Sequence, residues 1–235
     1  MINGYFRGNR VGRVALCYTR HLNFMSSPPE LALPSRVLLF DFDGVIADSL
    51  AAYYPVFADT CRDLGFSGPA TLEAFLDVFD TNAIKGLRRA GVPLLKLRQL
   101  GRALAPRLAA LLCERAACEP VYVVTSNMTE PTAAFLAEHA ITGLRGVIGA
   151  DQESSKVKKI RRIARQHCGL APWYIGDTRG DMIEGRAAGA TTVGTGWGWH
   201  GRERLALAGP DFIVDTVPEL EALLRGPSAD PDRLR

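Results

Sequence analysis

From residue 121 onward, short apolar runs alternate with amphipathic stretches. The runs are Val121–Thr125, Gly146–Gly149, Trp173–Gly176, Thr191–Gly194 and Asp211–Val214. Between and after them lie Pro131–His139, Ser155–Gln166, Gly180–Ala188 and Pro218–Leu224, which carry helical patterns. Runs this short have strand length, and a strand apolar at nearly every position is one covered on both faces. Strands alternating with helices predict a parallel sheet with right-handed crossovers. One further run, Arg36–Asp41, stands some eighty residues upstream of the series. The interval 49–105 between them has no strand-like run. It carries helical patterns at Leu50–Leu64, Leu72–Phe79, Thr81–Ala90 and Leu94–Leu104, and Pro106 suits the first turn of a helix returning to the sheet. The expected fold is α/β, a doubly wound, Rossmann-like parallel sheet with a small helical insert after the first strand.

Composition narrows the class. A chain of 235 residues with 47% hydrophobic and 23% charged side chains can build a sizeable core, which excludes a disordered, collagen-like or coiled-coil protein. The longest apolar runs fall far short of the ~20 residues that span a bilayer. The net charge of +3 is uneven: residues 1–24 hold Arg7, Arg10, Arg13 and Arg20 and no acid, which leaves the rest at −1. With no basic stripe through the body, nucleic acid is not an expected partner. The five cysteines are odd in number and contain no CxxC, so reduced thiols and a cytoplasmic location are expected. Residues 1–33 read as a disordered extension or an over-extended start, because Met25 is followed by Ser-Ser-Pro-Pro-Glu. Residues 1–24 share the acid-poor bias of transit peptides but have no apolar segment suited to secretion. Residues 226–235 read as a flexible tail.

Doubly wound sheets place their ligands at the carboxyl ends of the strands. The first strand ends in Phe40-Asp41-Phe42-Asp43-Gly44. Two carboxylates in apolar surroundings call for a cation, and a hard divalent ion taking oxygen ligands would meet that need. The second ends in Thr125-Ser126-Asn127, which offers hydroxyl and backbone N–H donors to an anion before a helix. Lys156 opens the helix Ser155–Gln166, where a cation opposes the helix dipole, so its position points to a purpose other than helix stability. A later strand ends in Gly176-Asp177-Thr-Arg-Gly-Asp181, supplying two more carboxylates. Singly, each of these is also an ordinary turn, cap or surface lysine. The informative signal is their order along the chain.

These four segments resemble the four motifs of the haloacid dehalogenase (HAD) superfamily, over about residues 36–225. Arg186–Gly194 and Trp197-Gly198 resemble the stretch that follows the fourth motif in phosphoglycolate-phosphatase-like members. The insert 49–105 resembles their helical C1 cap, which leaves 34–48 and 106–225 as the catalytic core. The resemblance implies a Mg²⁺-dependent phosphomonoester hydrolase working through an aspartyl-phosphate on a small phosphorylated metabolite. It implies Asp41 as nucleophile, Asp43 as general acid and base, and Lys156 as the neutralising cation. It implies Thr125, Ser126 and Asn127 around the phosphate and leaving group, and a metal site drawn from Asp41, Asp43 (through its carbonyl), Asp177 and Asp181. Asp43 also separates the chain from the dehalogenases proper, which lack a carboxylate there.

Lys158 and Lys159 compete with Lys156, which is preferred for its place at the helix start. Asn82, Lys85, Arg88, Arg89, Lys96 and Arg98 are candidate cap contacts to an acidic substrate. Trp197, Trp199 and His200, in a Gly-rich loop, are expected to pack. A phosphosugar mutase using the same intermediate, or a non-catalytic phosphate-binding protein, remains the alternative. A monomer or homodimer is expected, with neither nucleic acid nor membrane as partner.

Overall fold

The computed structural model describes residues 35–63, 71–81, 102–103 and 106–226. Six parallel strands form one sheet: β1 (Arg36–Phe40), β4 (Val121–Val124), β5 (Gly146–Ile148), β6 (Ala171–Gly176), β7 (Thr191–Thr195) and β8 (Phe212–Val214). Their order across the sheet is β5-β4-β1-β6-β7-β8, so the chain starts in the middle and winds outward in both directions. That is the doubly wound α/β arrangement expected from the alternation.

Period-two alternation in β1 feeds two separate cores. Leu38 and Phe40 face one side and pack with Leu108 and Leu112 of α3 (Pro106–Cys118), Phe135 of α4 (Thr129–Glu138) and Leu220 of α8 (Val217–Arg225). Val37 and Leu39 face the other side and pack with Ile160 and Ile163 of α5 (Lys156–Gln166) and with Tyr174. All four β1 side chains are fully buried, which is why the run reads as continuously apolar.

In the insert, α1 (Leu50–Asp63) and α2 (Leu72–Asp77) lie close to the expected helices. Phe57, Phe75 and Phe79 form a third apolar cluster with Trp199, from the loop after β7. Phe79 and Trp199 meet edge to face, with ring centroids 4.9 Å apart. The expected helix over Thr81–Ala90 and the candidate contacts Asn82, Lys85, Arg88, Arg89, Lys96 and Arg98 lie outside the described residues, as do 1–33 and 227–235. The helix expected to run to Leu104 needs correction. Arg102–Ala103 (β3) is extended and pairs antiparallel with Ala47–Asp48 (β2), so the segments entering and leaving the insert join as a two-stranded ladder. A two-residue strand is too short to leave a periodic signal. One short helix, α7 (Gly201–Ala206), was not anticipated. Among the described residues, no helix is long and apolar enough to cross a membrane.

Candidate active site

Register brings the motifs together. Phe40 pairs with Val123 on one side and Ile175 on the other, so Asp41 lies level with Val124 and Gly176, one step before Thr125 and Asp177. Three strands therefore end at one height, at the point where the winding direction changes.

Lys156 is the hub. Helix α5 buries Lys156, Lys159, Ile160 and Ile163, a single face at i, i+3, i+4 and i+7. Ser155 caps the helix by accepting from the Lys158 N–H. The Lys156 ammonium donates to Asp41 Oδ2 at 2.7 Å and to Asp181 Oδ1 at 2.6 Å, and the residue is 6% exposed. Lys158 instead points to solvent, near Glu153. Lys159 is buried and donates to the Thr125 carbonyl at 2.5 Å, securing the end of β4. Of the three lysines, Lys156 is the one that meets the carboxylates.

Asp181 is fully engaged. Its Oδ1 also accepts from the Tyr174 hydroxyl at 2.9 Å, and its Oδ2 accepts from the Thr178 N–H and hydroxyl. Thr178 and Asp181 form the capping box of α6 (Arg179–Ala188), which fixes the carboxylate. Burial favours its neutral form, but Lys156 and the Thr178 and Tyr174 hydrogen bonds outweigh burial and hold its pKa below the usual value.

Asp177 is the opposite case. Its Oδ2 accepts from the Trp199 N–H at 2.7 Å, while Oδ1 is buried with no hydrogen-bond partner. Burial, then the neighbouring Asp181 and Asp41, push its pKa well up. Burial likewise raises Asp41, with Lys156 only partly offsetting it. Asp41, Asp177 and Asp181 each bring an oxygen within 4.8 Å of the others, and all three are buried. The Lys156 ammonium contacts Asp41 and Asp181 and not Asp177. An orphaned carboxylate oxygen in an all-oxygen donor set fits a hard divalent cation such as Mg²⁺. The Asp43 side chain is not part of this group. Its Oδ2 accepts from Asn127 Nδ2 at 2.7 Å, its Oδ1 is buried without a partner, and burial raises its pKa to about 6.

Thr125 is fully buried, and its Oγ1 accepts from the Asn127 N–H at 3.0 Å, leaving its own hydroxyl hydrogen free to donate elsewhere. Ser126 follows it, half-buried, in the turn that leads to α4. Trp199 packs against the insert, as expected for that loop, and His200 does more than pack. His200 Nδ1 accepts from the Arg179 N–H at 2.9 Å and Nε2 faces the Leu76 carbonyl at 3.0 Å, which requires the neutral Nε2–H tautomer. Burial, reinforced by Arg204, keeps its pKa below the usual imidazole value.

Two glycines make room for Asp177. A Cβ on Gly44, whose φ is +71°, would sit 1.8 Å from Asp177 Oδ2, and one on Gly198 would sit 2.2 Å from Asp177 Cβ. Gly44→Ala is therefore expected to lower unfolding free energy by roughly 1–3 kcal/mol and to displace the carboxylate. Denaturant titration, with turnover measured on the folded fraction, checks both effects. Sequence reasoning missed Tyr53 and Tyr174. Tyr53 lies four residues after Ser49, on the first helical turns beyond the DxD segment, and Tyr174 lies two before Gly176 in its strand. Those offsets were the available signals.

A parallel sheet presenting a lysine-bridged carboxylate, a buried acidic triad and a hydroxyl-bearing strand end fits a hydrolase acting on phosphate esters. No protein-family model matches the chain. A phosphoglycolate phosphatase of Synechococcus elongatus is 28% identical over 207 residues, covering 79% of this chain and 95% of that one. A haloacid dehalogenase-like family hydrolase from Streptococcus pneumoniae superposes with a TM-score of 0.60 at 24% identity, over 80% of this chain and 98% of that one. A provisional beta-phosphoglucomutase from Bacteroides vulgatus gives 0.61 at 16% identity, over 80% and 87%. The chain is phosphoglycolate-phosphatase-like and similar to haloacid dehalogenase-like hydrolases; it is a phosphatase.

Proposed function

We propose that the chain is a Mg²⁺-dependent phosphomonoester hydrolase that turns over a small, phosphoglycolate-like metabolite through an aspartyl-phosphate on Asp41. The observation that carries this reading is the buried Lys156 bridge to Asp41, set beside an Asp177 oxygen with no partner. Asp41, Asp177 and the Asp43 carbonyl would hold the cation, with Asp181 supporting it. When bound, the ion offsets the charge of carboxylates and phosphate and so lets a dianion approach.

The chain's own residues then divide the work. Asp41 attacks phosphorus as the ester P–O bond breaks. Asp43 gives its proton to the departing alkoxide, then takes one from the water that attacks the aspartyl-phosphate, freeing inorganic phosphate and restoring Asp41. Lys156 orients Asp41 and offsets charge on the transferred group, while Thr125 and Ser126 donate to its oxygens. Asn127 holds Asp43 on the leaving-group side. Residues 49–105 act as the cap over a core of 34–48 and 106–225, excluding water when closed. A cytoplasmic location accords with the unpaired thiols of Cys113, Cys118 and Cys168.

The test is phosphate release from a panel of esters with Mg²⁺ and with EDTA. Turnover is expected with Mg²⁺ and at least about 10²-fold less with EDTA, in line with the weight of charge stabilisation in such sites. Mg²⁺ should also raise the melting temperature, and by more as pH rises. In the metal-free protein, burial raises the Asp41 pKa to about 8 and pushes the Asp177 pKa well above the usual carboxylate value, so both carboxyl groups hold protons above the usual carboxylate range. The ion must displace those protons, so its affinity grows as pH climbs from the usual carboxylate range toward those raised values. A shift that is flat or shrinking with pH would remove these carboxylates from the metal site. The Bacteroides vulgatus neighbour keeps a mutase as the second reading. Phosphate release from simple esters without a bisphosphate activator separates the two.

A further inference from the structure

We infer that Tyr53, on the first helix of the insert, is a positioning residue that acts through Asn127 to fix the orientation of the Asp43 carboxyl group. The inference rests on the phosphatase reading and deepens it. The Tyr53 hydroxyl donates to Asn127 Oδ1 at 3.2 Å, and Asn127 Nδ2 donates to Asp43 Oδ2 at 2.7 Å. The main chain of Asn127 is held at both ends: its N–H donates to Thr125 Oγ1, and its carbonyl accepts from the Ala150 N–H at 2.7 Å. Only the side-chain amide is left to turn. A phenol that donates on one side and a carboxylate that accepts on the other admit a single amide orientation. The Tyr53 ring is in turn held against Trp199, with centroids 5.6 Å apart.

The consequence falls on Asp43. Its Oδ2 is held by the Asn127 amide N–H, while Oδ1 is buried with no close hydrogen-bond partner and the Ser49 hydroxyl lies beside the carboxyl group. In the general-acid step the Asp43 proton passes to the leaving alkoxide oxygen as the P–O bond breaks. Because Tyr53 belongs to the insert and Asn127 to the sheet, the acid is set only when the insert lies as it does here.

Leaving groups supply the test. Phosphoglycolate leaves as an alkoxide and needs the proton, whereas p-nitrophenolate leaves readily without one. Tyr53→Phe, which preserves the ring packing, is expected to lower kcat/KM for phosphoglycolate about tenfold more than for p-nitrophenyl phosphate, a share of the usual general-acid contribution. Asn127→Ala should show the same selectivity, and adding Tyr53→Phe to it should cost nothing further. Equal losses on both esters, or additive losses in the double variant, overturn the inference while leaving the phosphatase reading intact. No phosphate released from either ester by the wild type overturns that reading, and the inference with it.

Discussion

Asp41→Asn is expected to abolish turnover while leaving the protein at least as stable as the wild type. The amide keeps the shape of the carboxylate but cannot attack phosphorus. Losing a nucleophile costs on the order of 10⁶ in kcat where such removals have been dissected, and at least about 10⁴ is expected here. The stability half is the more specific. Asp41 is 5% exposed, and burial raises its pKa despite the Lys156 bridge, so in the metal-free protein its ionised form is disfavoured. Neutralising it should leave the melting temperature unchanged or raise it by about 2–4 °C per kcal/mol relieved. A variant that retains Mg²⁺-dependent turnover would remove Asp41 from the nucleophile position. One that melts well below the wild type would show that the bridge outweighs desolvation.

Lys156→Met should fail in both respects. It removes the ammonium held between Asp41 and Asp181 and leaves two buried carboxylates facing each other. Breaking a buried ion pair from one side costs about 3–5 kcal/mol, which for a chain of this size lowers the melting temperature by roughly 10 °C. Activity should fall at least about 10³-fold with it. Combining the change with Asp41→Asn should recover part of the lost stability and none of the activity, because one of the stranded charges is then gone. Calorimetry on the four proteins of this cycle checks the sign. Equal melting temperatures for Lys156→Met and the double variant would place the cost in packing.

The chain itself declares where the sheet lies. Each strand of the six-stranded sheet is a run of three to six residues that falls within about two residues of an expected strand, whereas the two-residue β2 and β3 were not expected. The strand-end carboxylates were legible because a parallel strand has nothing to gain from two aspartates at its carboxyl end. The identity of the lysine was also within reach. Lys156, Lys159, Ile160 and Ile163 lie on one helical face, and Lys158 lies off it. Separating Lys156 from Lys159 took the fold, since both are buried and only their distance from Asp41 and Thr125 tells them apart.

The candidate metal ligands were legible as a list and not as an arrangement. Four aspartates were candidates. The structure groups Asp41, Asp177 and Asp181, and turns the Asp43 carboxylate toward Asn127. Within the group, Asp181 is consumed by Lys156, Tyr174 and Thr178, and Asp177 keeps the free oxygen. The Asn127–Asp43 and Lys156–Asp181 hydrogen bonds join residues 84 and 25 positions apart, and such contacts leave no trace in a local pattern.

What the sequence determined alone is therefore periodic or covalent: strand and helix spacing, the position of the insert, and the chemical type of each strand-end side chain. These follow from alternation, helical pitch and the side chains themselves, which are properties of neighbours along the chain. What only the tertiary structure decided is contact across the sheet: the register that sets Asp41 beside Gly176, one step before Asp177, the ladder closing the insert, and the Tyr53–Asn127–Asp43 connection. Those depend on how separate segments pack, and packing is a property of the folded whole.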